Sequence, residues 1–144
     1  MKATLSFYKG KGRLFDKLIR WRTESKYSHV ELIIDGVCYS SSTWDGGVRS
    51  KVIFDASNPV VRHTFSADSN WDFIEVSGSK NHAMAVFNAA HGMGYDYIGI
   101  AFAQALKLGW HSQNRYFCSE LCAEMLGLAR PESYSPKDLY RHFC

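Results

Sequence analysis

The sequence has few cysteines, no long apolar run and no leader-like N-terminus. Its four cysteines are too few and too irregularly spaced for the disulfide framework of a small secreted domain. The N-terminal residues contain no apolar h-region, so no secretory signal is predicted. No stretch reaches the roughly 18 uninterrupted apolar residues of a membrane span. We therefore expect a cytoplasmic protein with free thiols and no membrane span.

The sequence also contains no internal repeat, no low-complexity segment and no linker. Its 144 residues, of which 46% are hydrophobic, are enough to bury the core of one globular domain spanning residues 1–144. The formal net charge of +3 is too small to argue for an anionic surface or for nucleic acid. We expect no nucleic-acid partner.

The apolar pattern predicts strands in the first half of the chain and helices in the second. Asp35-Gly36 is a strong two-residue hairpin turn. The connections between strands are short, which favours an antiparallel sheet. The predicted strands cover residues 3–8, 27–34, 37–43, 48–54, 60–65 and 71–76. The predicted helices cover residues 13–22, 81–91, 95–108, 118–126 and 136–143. This order of elements predicts an α+β domain.

The hairpin turn fixes which residues share a face of the sheet. If Ile34 faces Val37, then Glu31 lies opposite Ser40 and His29 opposite Ser42. One face then carries these polar residues, and the other carries the core residues Val30, Leu32, Ile34, Val37 and Tyr39. A polar cluster around a histidine is not needed for the stability of a sheet. It indicates a functional site.

Cys118 stands at the predicted junction between an extended segment and a helix. Leu121, Cys122, Met125 and Leu126 form one apolar stripe of that helix, and Gly127 is a plausible stop. The unpaired N–H groups and the dipole of a helix N-terminus favour an anion, here a thiolate. A thiolate is the nucleophile of covalent acyl chemistry. The alternative is that Cys118 is a small buried hydrophobe, as most free cysteines are.

Three segments carry a resemblance to a known family: Tyr-Ser-His-Val-Glu-Leu at 27–32, Gly-Tyr-Asp at 94–96 and Tyr-Phe-Cys-Ser-Glu-Leu at 116–121. Together they resemble the circularly permuted branch of the NlpC/p60 papain-like cysteine hydrolases, in which the histidine strand precedes the nucleophile helix. The resemblance spans about residues 4 to 140. The branch is related to lecithin-retinol acyltransferase-type enzymes, and compact members of this kind resemble proteins of tailed bacteriophages.

The resemblance implies a role for each residue of the site. Cys118 would be the nucleophile, His29 the general base, and the Cys118 backbone N–H an oxyanion donor. A third polar residue normally orients the imidazole, and Ser40 occupies the matching position, where relatives usually have a carboxylate or a second histidine. Glu31 shares the face, and its spacing along the strand, about 7 Å, suits an electrostatic partner better than a direct hydrogen bond.

The same resemblance implies a substrate cleft between the sheet and the Cys118 helix. Tyr8, Tyr27, Tyr95 and Asp96 are candidates to line it, although aromatic packing and a helix cap explain them equally well. The expected substrate is a peptidoglycan-type peptide or a related amide or ester. No cofactor is implied, and a phage protein would act in the host cytoplasm or the virion.

Three alternatives stay open at the sequence level. His29-Val30-Glu31 fits the H-x-E of zinc deaminases, but Cys118 and Cys122 lack the P-C-x-x-C spacing of that site, so no metal is expected. Acyl transfer to an amine or a lipid passes through the same thioester as hydrolysis. A non-catalytic binding module with a papain-like cleft would explain a serine at the orienting position.

Overall fold

The computed structural model describes residues 1–11, 17, 19–21, 24–42, 46–52, 70–95 and 115–144. Five of its strands are β1 (Lys2–Tyr8), β2 (His29–Ile34), β3 (Val37–Ser42), β4 (Gly47–Val52) and β5 (Trp71–Ser77). The helices that follow are α1 (Lys80–Ala90), α2 (Cys118–Met125), a 3-10 turn (Pro131–Ser133) and α3 (Pro136–Phe143). The predicted α+β class, with the sheet first, is confirmed.

The five strands form one antiparallel sheet in the order β4-β3-β2-β1-β5. The middle strand is β2, so the histidine strand has a neighbour on each side. The last strand, β5, pairs with β1 along its full length, from Lys2↔Ser77 to Tyr8↔Trp71. This pairing joins distant parts of the chain.

The predicted hairpin between β2 and β3 is confirmed in its turn and in the register of the pairs from Ile34↔Val37 to Leu32↔Tyr39; the expected pairs Glu31–Ser40 and His29–Ser42 are not among the described pairs of this ladder. Asp35 and Gly36 have φ angles of 49° and 78°, the left-handed conformation that a two-residue turn of this kind requires. Ile34 pairs with Val37, and the described ladder continues to Leu32↔Tyr39.

The apolar face of the sheet forms the core together with the helices. Val30, Leu32 and Ile34 are at most 1% exposed, and they belong to one buried cluster with residues of α1 and α2. The buried helix residues of this cluster are Ala83, Phe87, Ala90, Leu121, Cys122, Ala123 and Met125. Burying such side chains stabilises the fold by roughly 1.5–3 kcal/mol for each large one.

Local signals set the ends of the C-terminal helices as predicted. Gly127 has a φ of 75°, which ends α2 in the left-handed conformation that glycine adopts without strain. Helix α3 begins after Ser135, whose hydroxyl accepts the Asp138 N–H, while the Asp138 carboxylate accepts the Ser135 N–H at 3.1 Å. Pro136 occupies the first helical position.

One predicted element is wrong at its start. Tyr95 does not begin a helix; it belongs to a short strand, β6 (Gly94–Tyr95), which pairs in parallel with β7 (Arg115–Tyr116). The predicted strand at 60–65 and most of the helices predicted at 13–22 and 95–108 lie outside the described residues. Within the described part of the chain, no helix is long and apolar enough to cross a membrane.

Candidate active site

The fold brings together His29, at the start of the middle strand, and Cys118, the first residue of α2. The charge and the hydrogen-bonding capacity of the Cys118 side chain both act on the imidazole and raise the pKa of His29. The two residues are only 4% and 2% exposed, respectively. A thiol and an imidazole in contact and shielded from water can exchange a proton, which is the first requirement of a cysteine nucleophile.

The chain around Cys118 holds the thiol at a helix N-terminus. Phe117 is the N-cap in extended conformation, and its N–H donates to the Glu120 carboxylate at 3.2 Å. The cap therefore fixes the first turn of α2 from both sides of Cys118. The first N–H groups of a helix have no acceptor within it, so they and the helix dipole favour negative charge at this point.

Helix α2 is also anchored directly to the histidine strand. The Cys122 thiol lies 3.8 Å from the Val30 carbonyl oxygen. Cys122 is fully buried, and burial raises the pKa of its thiol, with the charges of Cys118 and Glu31 acting in the same direction. Cys122 is therefore a protonated core residue, in agreement with its place on the apolar stripe.

Glu31 contacts His29 directly, so the expectation that it suits an electrostatic role better than a direct hydrogen bond is wrong. Glu31 Oε1 lies 3.1 Å from His29 Nε2. The spacing of two residues along a strand separates the backbones, but the flexible side chain of Glu31 reaches back along the shared face. Because an ionised carboxylate can only accept hydrogen bonds, Nε2 carries the proton of this contact.

The other oxygen of the same carboxylate is held by a residue that the sequence did not single out. The Cys38 thiol donates to Glu31 Oε2 at 2.8 Å, and Cys38 is fully buried. The signal was present in the hairpin register, which pairs Cys38 with Ile33 and so places it on the face of Glu31.

Ser40 lies on the same face of β3, where it pairs with Arg49 of β4. Its hydroxyl is buried and has no hydrogen-bond partner among the described residues; the same is true of the Ser28 hydroxyl. The described structure therefore gives Ser40 no direct bond to the imidazole. Glu31, and not Ser40, makes the direct contact with the imidazole that the resemblance assigns to the orienting residue.

The electrostatics of the cluster favour a charged imidazole. Burial by itself lowers the pKa of His29, but the charge and hydrogen bond of Cys118, followed by those of Glu31, outweigh it and raise the pKa to about 10. A negative charge on Cys118 would therefore stabilise the charged imidazole. The arrangement is a buried thiol beside an imidazole that also contacts a carboxylate.

The four residues proposed to line a cleft have different surroundings. Tyr8 pairs with His29 across β1 and β2 and is half-buried, with its ring 5.1 Å from Trp71. Tyr27 is buried, with its hydroxyl on Asp72 and its ring 4.7 Å from Tyr140. Tyr8 thus borders the site, whereas Tyr27 belongs to an aromatic cluster.

The remaining two candidates lie at the edge of the described residues. The backbone of Tyr95 pairs with Tyr116 of β7, two residues before Cys118. Asp96 lies outside the described residues. Among the described side chains, no group of three or more His, Cys, Asp or Glu is arranged to hold a metal ion.

Comparison with known proteins adds no relative to this site. No family model matches the sequence. A search of curated proteins likewise finds no match.

Proposed function

We propose that this protein is a cysteine hydrolase of permuted papain-like topology, which cleaves an amide or ester bond through an acyl-enzyme on Cys118. The observation that carries the proposal is the position of His29, whose Nε2 lies 3.1 Å from Glu31 Oε1 and whose pKa is raised by the Cys118 side chain. A histidine placed between a thiol and a carboxylate has the arrangement of a proton carrier.

In the acylation step, the Cys118 thiolate attacks the carbonyl carbon of the substrate and a C–S bond forms. The N-terminus of α2, including the Cys118 backbone N–H, receives the negative charge that develops on the carbonyl oxygen. With Nε2 held by Glu31, Nδ1 of His29 gives its proton to the leaving amine or alcohol. The C–N or C–O bond then breaks and a thioester remains.

In the deacylation step, water attacks the thioester carbon while neutral His29 takes one of its protons. The C–S bond breaks, the carboxylic acid leaves, and the thiolate–imidazolium pair is restored. Each proton that leaves the imidazole in the first step returns to it in the second.

Glu31 serves this cycle by orienting the imidazole and by stabilising it when it is charged. A serine could orient the ring but could not offset its charge, so Ser40 alone would suit a binding module better than an enzyme. The direct contact of Glu31 with His29 supports catalysis over that alternative. The order of a histidine strand in the sheet followed by a cysteine helix supports the permuted topology.

For the substrate, the resemblance favours a peptidoglycan-type peptide or a related amide. Hydrolysis and acyl transfer share the Cys118 thioester and differ in the nucleophile that resolves it. Product analysis separates them, because hydrolysis releases a free acid and transfer gives a new amide or ester.

The test is to incubate the protein with an activated ester and, separately, with peptidoglycan-type peptides. The reaction is quenched in acid, and the acyl adduct is located by mass spectrometry. We expect an adduct on Cys118 in the wild type. Cys118→Ser should abolish turnover, and Cys122→Ser, the matched control on the same helix, should keep most of it. Equal loss in the two variants, or acylation of Cys122, would overturn the assignment of the nucleophile.

A further inference from the structure

We propose that Cys38 is a positioning residue for the proposed reaction: its thiol holds the Glu31 carboxylate in the rotamer that supports His29. This inference rests on the proposed function and adds a fourth residue to the site. The juxtaposition that carries it is a single buried carboxylate with the imidazole on one oxygen and a thiol on the other.

His29 and Cys38 contact different oxygens of the Glu31 carboxylate. Oε1 lies 3.1 Å from His29 Nε2, and Oε2 lies 2.8 Å from Cys38 Sγ. Glu31 is 2% exposed, so the second hydrogen bond comes from the protein interior. A carboxylate group turns readily about its last torsion. A donor fixed on Oε2 therefore also fixes where Oε1 points.

The thiol is itself held in place by the sheet. Cys38 pairs with Ile33 of β2 on one side and with Lys51 of β4 on the other. Its backbone therefore has the rigidity of an interior strand, and its short side chain has one rotatable bond. A donor of this kind restrains the long side chain of Glu31 more than a flexible polar residue would.

A second buried cysteine, Cys122, provides a comparison for a thiol that is buried in the core without a carboxylate partner among the described residues. Cys122 is as deeply buried as Cys38, but its thiol faces the Val30 carbonyl oxygen at 3.8 Å. Cys38 instead contacts a carboxylate oxygen at a much shorter distance. Burying a carboxylate oxygen against an apolar group costs free energy that a donor offsets, so the thiol acts here through its proton.

The test follows the ring of His29 by NMR as the pH is raised, in the wild type, Cys38→Ala, Cys38→Ser and the matched control Cys122→Ala. Without the thiol, the Glu31 carboxylate is less well oriented and stabilises the imidazolium less. We therefore expect the titration midpoint of His29 in Cys38→Ala to fall by about one pH unit. Cys38→Ser keeps a donor and should recover most of that shift. Cys122→Ala should not move it. A titration of Cys38→Ala that superimposes on the wild type would overturn the inference.

The outcome is separable from failure of the proposed function. If His29→Ala leaves the reactivity of Cys118 unchanged, the proposed function fails whatever Cys38 does. If His29→Ala changes that reactivity and Cys38→Ala leaves the His29 titration alone, only the role of Cys38 fails.

Should Cys38→Ala not fold, the Raman S–H stretching bands of the wild type and Glu31→Gln decide the question. A carboxylate acceptor lowers the frequency of the Cys38 band more than a neutral amide does. We therefore expect that band to rise in Glu31→Gln. Identical S–H bands in the two proteins would contradict the role of Cys38.

Discussion

The Nε2 atom of His29 lies 3.1 Å from Oε1 of Glu31, two residues further along the same strand. The imidazole and the carboxylate that supports it therefore come from one short strand segment in the middle of the sheet. Cys118 reaches the imidazole from the N-terminus of a helix. The proposed nucleophile, base and orienting carboxylate thus need only one strand and one helix to meet.

The first prediction concerns Glu31. Glu31→Gln keeps the size of the side chain and removes the charge that helps to hold the proton on His29. We expect the pKa of His29 to fall and turnover to drop about 10²-fold or more, the scale of a lost acid–base contribution. Steady-state rates across a pH range, compared with the wild type, measure both effects. An unchanged rate would show that the carboxylate does not support the base.

Ser40 supplies the contrasting prediction. Its hydroxyl is buried without a hydrogen-bond partner among the described residues, and an unpaired buried hydroxyl costs roughly 1 kcal/mol or more. Ser40→Ala should therefore leave the unfolding temperature equal or slightly raised, and leave turnover close to that of the wild type. A loss of turnover comparable to that of Glu31→Gln would make Ser40 the orienting residue.

The third prediction is a pH dependence of stability. Because the pKa of His29 is raised from 6.5 to about 10 in the folded protein, its contribution to stability is complete below pH 6.5. That contribution disappears as the pH rises to about 10. Cys118→Ala removes the largest of the interactions that raise this pKa. Between pH 6 and pH 10, the free energy of unfolding measured in urea should fall more steeply in the wild type than in Cys118→Ala. Cys122→Ala is the control for the loss of a buried thiol. Parallel curves for the wild type and Cys118→Ala would contradict the ion pair.

The fourth prediction concerns Asp72, which lies near the start of β5 and accepts a hydrogen bond from the hydroxyl of Tyr27 in the aromatic cluster. Burial opposes its ionisation, but hydrogen bonds from Lys9, Tyr27 and Lys26 outweigh burial and lower the pKa of Asp72 to about 2. Its contribution to stability is therefore present above pH 3.8 and lost as the pH falls through about 2. Asp72→Asn should cost roughly 1–2 kcal/mol at pH 7 and much less at pH 2.

Unfolding of Asp72→Asn and the wild type at the two pH values measures this difference. The control is Asp35→Asn, since Asp35 pairs with Lys80 on the surface, where ion pairs contribute little. An equal cost of Asp72→Asn at both pH values would show that the network is not electrostatic.

The parts of this fold that the sequence predicts are those fixed by neighbouring residues. The Asp35-Gly36 turn sets the hairpin register, Gly127 ends a helix, and Ser135 with Asp138 begins one, because each depends on contacts within a few residues. The pairing of β5 with β1 joins residues about 70 positions apart, and no local pattern specifies it.

In the candidate site, too, the sequence predicts the features that depend on local patterns and misses those that depend on side-chain packing. The sequence places His29 and Glu31 on one face and Cys118 at a helix start, since alternation and helical period determine both. It does not show that Glu31 turns back to touch His29, or that Cys38 holds its other oxygen, because side-chain rotamers depend on the packed structure. The apolar pattern that follows Tyr95 predicts a helix, and it contains no sign of the short pairing of β6 with β7.

The measurement that tests the central claim most directly is the rate of iodoacetamide alkylation at Cys118 against pH, followed by mass spectrometry in the wild type and His29→Ala. Cys144, which is exposed, is the internal control for the reactivity of the reagent in the same samples. A thiolate–imidazolium pair predicts alkylation of Cys118 that persists well below pH ~8.5, the midpoint of a free cysteine, and loss of that low-pH reactivity in His29→Ala. Alkylation of Cys118 with the same pH dependence in both proteins would contradict an activated pair and, with it, the proposed enzyme.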